Sequence, residues 1–121
     1  MSKNERVVVC GGGPVGMVAA LALVRQGIPV TVLESFDTPP KDPRAATLHP
    51  STLEMLDTLD LAAGILERGL HAPAFQFRDR DTHDIIAVFD MKNIADETDF
   101  PFAVQYEQWK LTRDAIAALA E

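Results

Sequence analysis

An α/β fold built on a strand–helix–strand unit is predicted by three features of the N-terminal stretch. An apolar run from Val7 to Cys10 leads directly into glycines spaced G-x-G-x-x-G, at Gly11, Gly13 and Gly16. An Ala/Leu/Val-rich segment of helical pattern follows, opened by Pro14 and closed by Gly27. A second apolar run, Ile28 to Leu33, then ends on Glu34, 18 residues after Gly16 and near the ~20 of a dinucleotide fingerprint. Strand, tight turn, helix, strand and carboxylate come in the order of a Rossmann-like unit that holds a dinucleotide.

Each element has a physical reason. The run from Val7 to Cys10 is short, apolar and bounded by glycine, as a buried parallel strand is. Gly11 lets the chain leave that strand sharply, Gly13 has no Cβ where a pyrophosphate must approach the backbone, and Gly16 lets the helix lie close to the sheet. The helix starts at Pro14, a residue suited to the first helical position, and stops at Gly27. Its first turn, with Val15, presents unpaired N–H groups and partial positive charge to the phosphates. Val15, Val18, Ala19, Ala22 and Leu23 recur at helical spacing and are expected to face the sheet. Glu34, with Ser35 beside it, closes the second strand, where its oxygens accept hydrogen bonds from ribose hydroxyls and repel a 2′-phosphate. FAD or NAD, rather than NADP, is the ligand this implies.

Residues 36–44 hold three prolines (Pro39, Pro40 and Pro43) and read as a loop. Ser51 and Glu54 have the spacing of a capping box, predicting a helix from Ser51 with a stripe of Leu53, Leu56, Leu59 and Leu61. A second short helix is predicted over Ala62 to Arg68, stopped by Gly69. Phe75 and Phe77 alternate with Gln76 and Arg78, and Ile85 to Phe89 returns after a polar turn at 80–84, so 73–90 reads as a hairpin. Residues 91–100 read as a solvated acidic loop or, alternatively, as a mobile segment near a substrate entrance. A last helix is predicted over roughly Gln108 to Glu121, on Leu111, Ile116 and Leu119.

Composition narrows the function classes. The 121 residues are 47% apolar, which allows a folded core and at most one domain. A net charge of −7 argues against nucleic acid or an anionic membrane as main partner. No apolar stretch reaches the ~18 residues of a membrane span, and the polar start MSKNER carries no secretory signal. The single cysteine fits a reducing cytoplasm, and Cys10 is expected as a small core residue at a strand end. His49, His71 and His83 lack metal-ligand spacing, and no G-x-S-x-G element points to acyl transfer. Because no third parallel strand follows the last helix, the chain is expected to be the N-terminal part of a longer protein.

VVVCGGGPVGMVAALALVRQGIPVTVLE, then PRAATLHPSTLEMLDTLDL, and more loosely VQYEQWKLTRDAI together resemble the FAD-dependent aromatic hydroxylases related to para-hydroxybenzoate hydroxylase. The second piece is the more telling: a proline-rich loop, an arginine and a helix stand where an NAD-binding domain would place another βα unit. The resemblance implies that the whole chain, 1–121, is the N-terminal part of an FAD-binding domain, with 70–103 reaching toward a substrate domain. It implies that Arg44 contacts the flavin cofactor, a role suited to a guanidinium fork, with Ala45, Ala46 and Thr47 lining the same turn. It implies that Gln105 lies against the cofactor, with Gln108 as rival and Trp109 standing where an acidic residue is frequent. The implied cofactor-binding set is therefore Gly11, Gly13, Pro14, Val15, Gly16, Glu34, Ser35, Arg44, Ala45 and Gln105, with no catalytic acid or base and no metal.

The implied activity is an FAD-dependent monooxygenase. In the family, NAD(P)H reduces the flavin, O₂ adds to it, and the flavin hydroperoxide passes one oxygen to an electron-rich aromatic ring. A small aromatic substrate and the remainder of the chain are the implied partners. Another flavoprotein of the same architecture, such as a reductase or oxidase of a non-aromatic substrate, an NAD-binding dehydrogenase module and a truncated non-catalytic fragment are the alternatives.

Overall fold

The two apolar runs that flank the glycine turn pair side by side, as the spacing predicts. The computed structural model describes residues 5–41 and 46–120. Its elements in chain order are β1 (Val7–Cys10), α1 (Pro14–Arg25), β2 (Val30–Leu33), β3 (Thr47–Leu48), α2 (Pro50–Asp57), α3 (Ala62–Arg68), β4 (Leu70–Ala72), β5 (Ala74–Arg78), β6 (Ile85–Asp90), a 3₁₀ turn (Met91–Ile94), β7 (Ala103–Gln105) and α4 (Gln108–Leu119). They divide into two compact units, Met1–Ala46 with Glu107–Glu121, and Thr47–Tyr106.

In the first unit β1 and β2 are parallel, with Val7 opposite Val30 and Cys10 opposite Leu33. The crossover is α1, which begins at Pro14 as predicted and ends at a Gln26 cap. Gly27 follows at φ +74°, and the N–H groups of Gly27 and Ile28 close the end on the carbonyls of Val24 and Leu23, a glycine stop of the expected kind. The face that α1 buries differs from the expected one. Met17, Val18, Ala20 and Leu21 are buried, while Val15 is 82% exposed and Ala19 is exposed. The close approach of Gly16 to β1 sets the phase of the helix and turns positions 15 and 19 outward, and α1 must also pack on α4. Cys10 is likewise exposed rather than in the core. Side chains alternate along a strand; Val7 and Val9 are half-buried, and Val8 and Cys10 face out. On α4, Leu111, Thr112 and Ala115 are buried, whereas the expected Ile116 is 41% exposed.

In the second unit three very short strands form an antiparallel sheet in the order β3-β7-β4. None of the three was apparent in the sequence. The four leucines predicted as a stripe, Leu53, Leu56, Leu59 and Leu61, are all buried, with Ala62, Ile65 and Val104, but α2 ends at Asp57, so Leu59 and Leu61 lie in the turn that follows it rather than on the helix. The capping box does not form. Pro50 occupies the first helical position, so α2 starts one residue early with His49 as its N-cap and no side-chain cap. Glu54 instead accepts a hydrogen bond from the Thr98 hydroxyl at 2.5 Å. Gly69 ends α3 as predicted, but for lack of space rather than for a left-handed turn: its φ is −88°, and a Cβ there would lie 2.3 Å from Val104 Cγ1. The hairpin β5-β6 is present, with Phe75 opposite Phe89 and their rings stacked 4.8 Å apart. Residues 91–94 form a 3₁₀ turn capped by Asp90, more ordered than the loop expected. No helix among the described residues is long and apolar enough to cross a membrane.

Candidate dinucleotide site

The corner between β1 and α1 is open, and its openness follows from three glycines. Gly11 has φ +105°, a conformation that L side chains rarely adopt, and its N–H donates to the Leu33 carbonyl at 2.7 Å. The turn is thereby fastened to the end of β2. At Gly16 a Cβ would lie 1.9 Å from the Gly11 carbonyl oxygen, so only a hydrogen fits between helix and turn. Gly13 is the opposite case. It caps α1 in an extended conformation, φ −72°, and an added Cβ would meet no atom within 4 Å. Nothing in the fold of the described residues requires glycine there.

Above this corner the N-terminus of α1 presents free donors. The first intrahelical N–H bond runs from Met17 to the Gly13 carbonyl at 2.9 Å, and Gly13, as N-cap, has no side chain to cap the helix. The amides of Val15 and Gly16 therefore stand with the positive end of the helix dipole, an arrangement suited to phosphate oxygens.

Glu34 completes the corner. Its Oε2 accepts from the Gly12 N–H at 2.6 Å. Its Oε1 accepts from the N–H groups of Ser35 at 2.6 Å and Phe36 at 2.9 Å, with the Ser35 hydroxyl at 3.2 Å. These donors, the Phe36 N–H foremost and then those of Gly12 and Ser35, hold its carboxyl below the usual carboxylate range, because each favours the ionised form. Glu34 is thus a latch between β2 and the glycine turn as well as an exposed anion. Gly12, which the fingerprint leaves as any residue, is a partner that sequence reasoning missed. A Cβ there would lie 3.0 Å from Glu34 Cβ; the triple glycine was the available signal.

Gly12, Gly13, Pro14, Glu34 and Phe36 share a cavity of about 420 Å³ with Pro39, Gln108 and Trp109, within the usual range for small-molecule sites. Gln108, the rival of Gln105, therefore stands on the cavity wall. Gln105 ends β7 in the second unit and accepts from the Thr47 hydroxyl at 3.0 Å. Arg44 and Ala45 lie outside the described residues. The histidines have structural surroundings. His49 leads into α2, His71 contacts the Leu66 carbonyl and stacks on Phe102, and His83 takes a left-handed turn position in the hairpin. Among the described residues no cluster of His, Cys, Asp and Glu is placed to hold a metal.

Residues 4–121 match the FAD binding domain family. The chain belongs to that family. Among relatives of this FAD binding domain, a 6-hydroxy-3-succinoylpyridine 3-monooxygenase of Pseudomonas putida is 34% identical over 119 residues, covering 98% of this chain and 30% of that protein. A para-nitrophenol 4-monooxygenase of a Pseudomonas species is 36% identical over 102 residues, covering 84% of this chain and 25% of the relative. The crystal structure of a p-nitrophenol 4-monooxygenase from Pseudomonas putida superposes with a TM-score of 0.89 at 35% identity, over 96% of this chain and 29% of that one. The resemblance to flavin-dependent aromatic hydroxylases is borne out, and with it FAD rather than NAD as the family's ligand. The chain spans less than a third of the length of these relatives.

The glycine corner fits such a cofactor. The position where a side chain is absent without structural need, Gly13, opens on the cavity, and the donor set there is backbone amide beside a single carboxylate.

Proposed function

We propose that this FAD binding domain forms the cofactor-holding part of a monooxygenase that uses NAD(P)H and O₂ to hydroxylate a small aromatic compound in the cytoplasm. The observation that carries the proposal is the open Gly13 corner beside Glu34, in a chain related to nitrophenol and pyridine monooxygenases. Gly11 shapes the turn, and Gly13, Pro14, Val15 and Gly16 offer backbone to the diphosphate. Glu34, with Ser35, receives the ribose hydroxyls, and Gln108 adds an amide from the cavity wall. Arg44, Ala45 and Gln105 are further cofactor contacts on the strength of the family resemblance. FAD, when bound, supplies the electron transfer and the oxygen activation. The work of these residues is to bind and orient it, and none needs to act as a general acid or base. Residues 70–103 extend toward the substrate side.

The test is a visible spectrum of the full-length protein, followed by NAD(P)H oxidation against a panel of phenols. A flavin band and phenol-dependent oxidation with hydroxylated product are expected. A colourless protein that oxidises no NAD(P)H would refute the proposal.

Glu34 gives a second expectation. Replacing it with alanine removes the charged acceptor and releases Gly12, so the FAD dissociation constant should rise on the order of tenfold or more. The donors that favour the ionised form in the folded chain also set the pH dependence. A depressed carboxyl pKa stabilises the fold above the ordinary carboxylate range and loses that contribution as pH falls through the folded value. Glu34 should therefore stay charged at pH 5, and its contribution to FAD affinity should not differ between pH 7.5 and 5. Titrating FAD into the unmutated protein and Glu34→Gln at both values checks this; a gap between the two that closes by pH 5 would show a carboxyl raised above the ordinary range rather than held below it.

A further inference from the structure

We propose that Trp109 is the aromatic face on which the adenine ring of the dinucleotide stacks. The inference rests on the FAD reading above and adds to it a residue that the glycine fingerprint does not contain. Trp109 is the single tryptophan of the chain, is half-buried, and lines the same cavity as Gly12, Gly13 and Glu34. A ribose whose hydroxyls reach Glu34 carries its base one bond away, so the base must lie in or at the mouth of that cavity. Purines have two flat π-faces and bind most strongly where an aromatic ring meets one of them.

The support beneath the indole is rigid. Trp109 is the second residue of α4, whose buried side is Leu111, Thr112 and Ala115, and the Thr112 hydroxyl bonds back to the Gln108 carbonyl at 2.9 Å. Phe36, the other aromatic ring on the wall, belongs to an irregular segment and is 65% exposed. The surroundings of the ring carry both signs of charge. In a chain of net charge −7, Lys41, Lys110 and Arg113 lie 5.5, 5.6 and 5.7 Å from the centre of the Trp109 ring. Lys110 and Arg113 are paired with Glu107 and Asp114.

The experiment uses the full-length protein stripped of flavin, and titrates FAD, ADP and FMN into the unmutated form, Trp109→Ala and Trp109→Phe. Trp109→Ala should weaken FAD and ADP by about tenfold, the scale of one lost base–aromatic stack. It should leave FMN, which has no adenine, within about twofold. Trp109→Phe should retain most of the affinity. FAD and ADP binding unchanged in Trp109→Ala would overturn the assignment. So would an equal loss for FMN, since that reports damage to the fold rather than a lost stack. An unmutated protein that binds neither FAD nor ADP would instead remove the FAD reading itself, a result distinct from either.

Discussion

Gly13→Val is expected to yield a folded protein that binds flavin about 5- to 150-fold more weakly. The two halves of that statement have separate physical grounds. Gly13 has φ −72° and ψ −175°, which a valine adopts without strain, and no atom lies within 4 Å of the added Cβ. The fold of the unliganded chain therefore has no reason to object. The space that the new side chain enters is the space at the start of α1 that a diphosphate must occupy to reach the amides of Val15 and Gly16. Steric intrusion of this kind costs roughly 1–3 kcal/mol, which is about 5- to 150-fold in the dissociation constant. The measurements are the melting temperature of the flavin-free protein, expected unchanged, and FAD titration, expected to weaken by that factor. An FAD dissociation constant unchanged from that of the unmutated protein would show that the diphosphate does not lie over Gly13.

The contrast between Gly13 and its neighbours also explains what could be read from sequence. The glycine turn, its helix and Glu34 were legible because every constraint there is local: positive φ, close approach and helix N-terminus all fall within a few residues. The helical spacing of Leu53 and Leu56 on α2 was legible for the same reason, whereas Gly69 stops α3 where predicted through a distant contact with Val104 that no local pattern encodes. The strands β3, β4 and β7 were not legible. They are two or three residues long, too short to show alternation, and Thr47 finds its partner at Gln105. The capping box failed because Ser51 and Glu54 have the right spacing but Pro50 already begins the helix, and Glu54 is used by Thr98, a contact that no local pattern encodes. The same holds for the two glutamines near α4. Spacing could not separate Gln105 from Gln108, because one residue ends a strand and the other starts a helix, and only the cavity shows that Gln108 and Trp109 share a wall with Glu34.

Gly16→Ala should behave unlike Gly13→Val, and the difference tests whether the corner is built as described. A methyl group at position 16 would lie 1.9 Å from the Gly11 carbonyl oxygen and 3.3 Å from Val9 Cγ1. The first neighbour is backbone, held by the Gly11 N–H bond to Leu33, so it cannot swing aside as a side chain would. Relief requires α1 to move off β1 or the turn to open. Moving α1 disturbs the packing of Met17, Ala20 and Leu21, while opening the turn breaks the hydrogen bond that ties β1 to β2. Either route costs roughly 1–3 kcal/mol at least, enough to lower a melting temperature by several degrees. The loss should be present without flavin, because it lies in the fold and not in the ligand. FAD affinity should fall as well, since the amides of Val15 and Gly16 move with the helix. A thermal melt of the flavin-free variant decides the matter: a transition coincident with that of the unmutated protein would mean that helix and turn do not touch at Gly16.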